Sequence, residues 1–182
     1  MKFTPTHIPD VVIVQPDVFG DHRGFFMETW HARKFEEAGI DDTFVQDNHS
    51  KSSQGILRGL HYQIKQPQGK LVRVVAGEVF DVAVDLRKSS PTFGKWAGQT
   101  LSAENKTMLW VPGGFAHGFY VMSEYAEFLY KCTDFYEPAH ERCIRWDDPD
   151  LAIDWPLIDG KPPALSEKDT EGVAFKDAEY FA

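Results

Sequence analysis

The chain has 182 residues, 42% of them hydrophobic and 26% charged, with 19 Lys and Arg against 28 Asp and Glu and a formal net charge of −9. That balance excludes wholesale disorder, and an acidic chain with no Lys/Arg run is a poor partner for nucleic acid. No apolar run reaches the ~18 residues of a membrane span, and Met1 to Asp10 lack the basic-then-apolar order of a signal peptide, so a cytoplasmic protein of one domain is expected.

In chain order, Val11 to Val14 make a short β-branched run closed by Pro16. FGDHRG, Phe19 to Gly24, predicts a turn or loop, and Phe25 to Trp30 the next strand. HARKFEEA, His31 to Ala38, carries helix formers and stops at Gly39, which predicts one short helix. Strands are then expected at Thr43 to Asn48, Ile56 to Tyr62, Lys70 to Val75, Val79 to Leu86, Trp96 to Leu101, Thr107 to Val111, Gly118 to Met122 and Tyr125 to Thr133. All are short, rich in Val and aromatics, and separated by Gly, Pro, Asn or Ser.

VFDVAVDL alternates, with Val79, Asp81, Ala83 and Asp85 on one face and Phe80, Val82, Val84 and Leu86 on the other. An apolar face needs cover, and with so little helix the cover should be a second sheet, giving a β-sandwich or jelly roll. From Trp146 to Leu165, DDPD, DWP and KPP break any ladder and predict an ordered loop wrapped on the core. The 14 Phe, 6 Tyr and 5 Trp suit a homo-oligomer as well as a core. Cys132 and Cys143 have neither Cys-x-x-Cys spacing nor soft ligands near them in sequence, so two reduced thiols are expected and no structural zinc.

Four segments could carry chemistry. GILRGLHYQ holds Arg58 and His61, a cation and a base suited to an anionic ligand, with Lys70 and Arg73 close behind. Strict alternation would put Arg58 and His61 on opposite faces, so a shared pocket requires a bulge or sharp twist at Gly59. VPGGFAHGF contains Pro-x-Gly-x-x-His, ending at His117, and resembles the second motif of the cupin superfamily. The first cupin motif would supply His-x-His, whereas His61, Tyr62 and Gln63 stand here, which leaves a poor facial triad and predicts a metal-free site. EFLYKCTDFY offers Tyr130 as an acid and Tyr136 as a stacking face, and LSEKDT offers Lys168 and Asp169.

Taken together, FGDHRGFF, FVQDNHSKS, LRGLHYQ, GKLVRVVAGEVFDVAVDLRKSSPTFG, LSAENK, VPGGFAHGF, YAEFLYKCTDFY and LSEKD closely resemble the dTDP-4-dehydrorhamnose 3,5-epimerase family over almost the whole chain. The resemblance implies an all-β jelly roll, or double-stranded β-helix, with a few short peripheral helices. It implies one cupin domain over 1–182, with 146–182 as a C-terminal wrap contributing to the site, acting as a homodimer without metal or organic cofactor. The implied partner is a dTDP-linked 4-keto-6-deoxy sugar, with neither nucleic acid nor membrane involved. Carried onto this chain, the family base falls on His61, its orienting carboxylate on Asp169, the proton-donating tyrosine on Tyr130 and the lysine near the reacting sugar on Lys70. Arg23, Arg58 and Lys168 resemble the charged substrate contacts. Glu28, Gln46, Asp47, Asn48, His117 and Glu141 fall at other substrate positions, Tyr136 at the aromatic that stacks on thymine, and Phe19 and Phe26 at pocket-shaping positions.

In a 4-keto sugar, C3 and C5 both adjoin the carbonyl, so one base can remove either hydrogen while charge collects on O4. A mono-epimerase or ketoisomerase on a related nucleotide deoxysugar and a non-catalytic sugar-binding cupin are the competing readings. A pure binder has no use for an acid and a base on opposite faces.

Overall fold

The computed structural model describes residues 1–182. The β-branched and aromatic runs form strands β1 (Lys2–Pro5), β2 (Val12–Gln15), β3 (Val18–Asp21), β4 (Gly24–Met27), β5 (Gln46–Ser53), β6 (Leu57–Gln63) and β7 (Lys70–Ala76). They continue with β8 (Glu78–Asp85), β9 (Trp96–Ser102), β10 (Met108–Val111), β11 (Phe115–Val121), β12 (Tyr125–Cys132) and β13 (Glu141–Cys143). The two α-helices are short, α1 (Ala32–Glu37) and α2 (Glu167–Thr170), and no helix is long and apolar enough to cross a membrane.

A six-stranded sheet in the order β1-β2-β10-β7-β12-β5 faces a five-stranded sheet in the order β13-β6-β11-β8-β9, while β3 and β4 pair only with each other. This is the expected jelly roll. Val72, Val74 and Phe128 from the first sheet meet Val79, Ala83, Phe119 and Val121 from the second in the central core, with Phe119 and Phe128 stacked 4.2 Å apart. Helix α1 covers the far side of the six-stranded sheet by sinking Phe35 among Val12, Val14, Leu71 and Trp110.

The alternation in β8 is as expected, but the second sheet covers the opposite face from the one its apolarity suggested. Val79, Asp81 and Ala83 point between the sheets, and the wholly apolar face of Val82, Val84 and Leu86 is covered by Ile144, Leu151 and Trp155 of the chain after β13. The sandwich interior can hold carboxylates because it also holds their partners. The wrap is tied down by polar bonds, with the Asp148 carboxylate accepting from the Asp150 and Phe175 amides and the Trp155 indole donating to the Trp146 carbonyl at 2.9 Å.

Local differences have local causes. FGDHRG is a hairpin, since only His22 and Arg23 turn, with the Asp21 carboxylate accepting from the Arg23 amide at 2.9 Å. β5 runs on through the polar residues His49 to Ser53 because β12 pairs with it at every position from Gln46 to Ser53. β11 starts at Phe115, earlier than expected, and β1 and β13 are additional edge strands.

Candidate active site

An open cleft of ≈ 330 Å³ lies between the two sheets. Its first wall is built by β6 and β11. Between the register pairs His117–His61 and Phe119–Arg58, β11 advances two residues and β6 three, so β6 carries an extra residue around Gly59. Leu57 and Leu60 pack outward beneath the wrap, whereas Arg58 and His61 both line the cleft. The bulge expected at Gly59 is there, with φ at +120°, and a β-carbon on this residue would lie 2.6 Å from the Gly118 α-carbon.

His61 meets Asp169, which α2 brings in from the C-terminal wrap with Nε2 of the ring 2.7 Å from Oδ1. Ser166 and Asp169 form a capping box, so the same carboxylate accepts from the Ser166 hydroxyl at 2.6 Å and also from the Gly59 amide at 3.1 Å. Burial alone would raise the Asp169 pKa, but the imidazole, the hydroxyl and the amide outweigh it and hold the carboxyl at about 2. With Nε2 turned toward the carboxylate, Nδ1 is the ring nitrogen left for another partner. Next to it in register, His117 is 7% exposed and its Nε2 lies 2.9 Å from the fully buried Asp81. Arg58 donates to the Ser52 hydroxyl at 2.9 Å.

The opposite wall belongs to β5, β7 and β12, whose period of two sends Gln46, Asn48, Lys70 and Tyr130 into the cleft. Burial pushes the Tyr130 phenol above its ordinary pKa and pulls the Lys70 ammonium below its own. The first therefore keeps its proton until a strong base forms beside it, and the second is a stronger hydrogen-bond donor than a solvated lysine. At the mouth, the Tyr136 hydroxyl donates to Glu141 at 2.7 Å, and Glu141 also pairs with Lys168, whose ammonium lies 5.9 Å from the Tyr136 ring centroid. Burial would raise the Glu141 pKa, but Lys168 and the Tyr136 hydroxyl outweigh it and keep the carboxylate ionised.

A chain that brings His61, Tyr130 and Lys70 to one cleft in this fold has close parallels. The sequence profile described as dTDP-4-dehydrorhamnose 3,5-epimerase matches residues 5–177. A dTDP-4-dehydrorhamnose 3,5-epimerase of Pseudomonas aeruginosa is 66% identical over 182 residues, covering 100% of this chain and 99% of the relative. The chain belongs to the dTDP-4-dehydrorhamnose 3,5-epimerase family. A crystal structure of dTDP-6-deoxy-D-glucose-3,5-epimerase from Legionella pneumophila, in complex with dTDP-4-keto-L-rhamnose, superposes with a TM-score of 0.94 at 55% identity, over 98% of this chain and 94% of the other. A 3'-monoepimerase from Streptomyces bikiniensis, in complex with dTDP-quinovose, is more distant, with a TM-score of 0.86 at 35% identity over 93% and 86% of the two chains.

Five positions expected from the dTDP-4-dehydrorhamnose 3,5-epimerase family lie away from the cleft of this single chain. Phe19, Arg23, Phe26 and Glu28 lie on or beside the β3–β4 arm. Phe19 and Phe26 are 65% and 70% exposed, Arg23 pairs with Asp21, and Glu28 pairs with Lys34 at 2.8 Å. Asp47 points to the outer face of its sheet, where it pairs with Lys131 at 3.0 Å. The metal position of other cupins does not suit these residues. His61 and His117 sit opposite one another, yet each directs Nε2 to its own carboxylate, and Gln63 donates to the Gln66 and Phe135 carbonyls.

Sequence reading missed Asp81 as the partner of His117 and Ser52 as the partner of Arg58. Both were within reach of it, Asp81 as an inward position of an alternating strand and Ser52 through the period that Gln46 and Asn48 begin. Phe181, which also lines the cleft, gave no signal, because it arrives through a bridge to Arg87 that only the folded chain reveals.

Proposed function

We propose that the chain converts dTDP-4-dehydro-6-deoxy-α-D-glucose to dTDP-4-dehydro-β-L-rhamnose, inverting C3 and C5 in dTDP-L-rhamnose biosynthesis. The observation that carries this is the placement of His61, backed by Asp169, and of Tyr130 on opposite walls of one cleft. A sugar ring lying between the sheets presents one face to a base and the other to an acid, which is the requirement of inversion.

His61, neutral at the start, takes the hydrogen from the carbon beside the ketone, and the electron pair of that C–H bond moves through the enolate to O4. Asp169 fixes the tautomer and favours the imidazolium. Lys70 stabilises the charge as it collects on O4, and Tyr130 returns a proton to the other face of the carbon. Exchange with solvent then removes the proton from His61 and restores that of Tyr130, so the centre can act on the second carbon. Acid, base and cation come from the chain itself, and no electron is transferred. Arg58 and Lys168 supply charge for the diphosphate, and Tyr136, half-exposed at the mouth, a face for thymine.

The working unit in this reading is one cupin domain over 1–182 whose wrap from 146 onward delivers Lys168 and Asp169, assembled as a homodimer. Phe19, Phe25 and Phe26 together expose a large apolar area on the arm, and covering each would contribute roughly 1.5–3 kcal/mol. A second copy that received the arm at its own cleft would also bring Arg23 and Glu28 to substrate. The two free cysteines suit a reducing cytoplasm.

The deciding experiment is proton NMR of the ketosugar with purified protein in deuterated water, coupled to a reductase that traps the rhamnose product. Deuterium at both C3 and C5 with trapped dTDP-rhamnose is expected. Label at one carbon only would instead assign a mono-epimerase such as the Streptomyces bikiniensis relative is named for.

A further inference from the structure

His61 has a second neighbour behind the cleft. Pairing of β13 with β6 sets Cys143 opposite His61, and α2 brings Asp169 to the same point. One imidazole nitrogen, the thiol sulfur and one carboxylate oxygen lie within 4.8 Å of one another. The bonding of two of them, His61 and Cys143, is incomplete. Nε2 of His61 is buried and, although 2.7 Å from Asp169, lacks the alignment of a hydrogen bond. The Cys143 sulfur has only the carbonyl of Ile144, at 3.6 Å. The geometry points to a binding site for a thiophilic divalent cation of the zinc class, held by His61, Cys143 and Asp169, whose occupation switches the enzyme off.

Zinc accepts this mixed set of nitrogen, sulfur and oxygen, at ~2.0–2.3 Å from each, so the donors of a tetrahedral site stand roughly 3.3–3.7 Å apart. The His61–Asp169 pair, at 2.7 Å, would open slightly, and the other pairs, within 4.8 Å, would close by at most about 1.5 Å. His61 and Cys143 are each partly exposed, which leaves a route in and a fourth position for water. Hard ions such as magnesium, which prefer six oxygens, find a single carboxylate here. Neither Cys143 nor Asp169 lines the cleft, so this site is distinct from the position between His61 and His117 that a cupin metal would take.

Binding has a defined proton balance. Burial, reinforced by the negative charge of Asp169, pushes the Cys143 thiol up to about 12, so it enters as a thiol. The proton leaves to solvent and the sulfur electron pair forms the bond to the ion, without any change of oxidation state. As the ion binds Nε2, the proton that this nitrogen carried moves to Nδ1, so the ring keeps no free lone pair for a substrate proton and loses its orienting carboxylate. Inhibition therefore follows from binding.

The loss of activity rests on His61 being the base of the proposed epimerase, whereas the binding does not, and two readouts separate them. Protein stripped by a chelator is titrated with cadmium in a non-coordinating buffer. A thiolate-to-metal charge-transfer band saturating at one equivalent per chain is expected, absent from C143S and from C143A. In parallel, micromolar zinc should lower epimerase turnover at least 10-fold, a chelator should restore it, and magnesium should leave it unchanged. C143S should keep its activity and need at least 10-fold more zinc for the same inhibition. No band in the native protein would overturn the site, and equal sensitivity of native protein and both Cys143 variants to zinc would overturn its role in inhibition. A band in a protein without epimerase activity would leave the metal site standing and remove the functional reading.

Discussion

The cleft and the β3–β4 arm hold the same kinds of side chain in opposite physical states. In the cleft, both histidines have a buried partner before a ligand arrives, His61 against an Asp169 that is 3% exposed and His117 against an Asp81 that is fully buried. On the arm, Arg23 has a partner only two residues away in its own hairpin, and Phe19, Phe25 and Phe26 stand at least 60% exposed. Preorganisation belongs to the reacting centre, where a small misplacement is costly, whereas the apolar side chains of the arm stay largely exposed on this chain.

The largest effect expected on the cleft side is that of His61→Ala. Removing the base should lower turnover by roughly 10³-fold and abolish solvent exchange at C3 and C5 together, as read by NMR in deuterated water. Exchange that survived at one carbon would assign that carbon to a different base. Tyr130→Phe should lower product formation by about 10²-fold while exchange continues, because His61 can still remove a hydrogen and return one to the same face. Normal product from this variant, measured by mass spectrometry, would take the proton-donor role away from Tyr130 and leave the two walls of the cleft unequal.

How far these walls could be read in advance depends on how local their causes are. The Gly59 bulge was legible because two residues of one role, Arg58 and His61, were three apart in a strand, and only an extra residue reconciles them. The inner face of β8 was legible as a set of residues but not as an inside, since apolarity alone favoured the face that the wrap covers. The second half of β5 was hidden by its polar side chains, which a partner strand tolerates because pairing uses the backbone. Cys143 lies far from His61 in sequence and joins it only through β13, a three-residue strand with no apolar pattern of its own. The arm residues were named as a group by resemblance alone, and nothing in a single sequence says whether a position serves its own cleft or that of another copy.

A framework carboxylate outside the cleft gives a stability test that leaves the catalytic residues in place. Asp85 is fully buried, accepts from Arg87, Ser90 and Thr92, and is held at about 2 because these bonds outweigh the burial that would raise it from 3.8. Its folded value is depressed, so its contribution is complete above the unfolded value and is lost as pH falls through the folded one. At about 1.4 kcal/mol per unit, the contribution is about 2 kcal/mol. The difference in unfolding free energy between native protein and Asp85→Asn, from urea titrations, should narrow by about that amount between pH 6 and pH 2. A constant difference would mean that Asp85 is as easily protonated folded as unfolded.

The smallest effect belongs to the arm, and it is the most specific test of the comparison. Arg23 makes no contact with the cleft of its own chain and its side chain is 79% exposed, so Arg23→Ala should leave the melting temperature of the isolated protein unchanged. If a second copy receives the arm, its guanidinium binds the diphosphate, which is remote from the reacting carbons and equally charged in ground and transition states. Such a contact is uniform binding, so KM for the nucleotide sugar should rise about 10-fold with kcat nearly unchanged. A KM equal to that of the native protein would confine the arm to contacts between protein surfaces. A fall in kcat without a rise in KM would mean that the arm shapes the transition state itself, and that the separation between a fixed reacting centre and an arm that only binds is wrong.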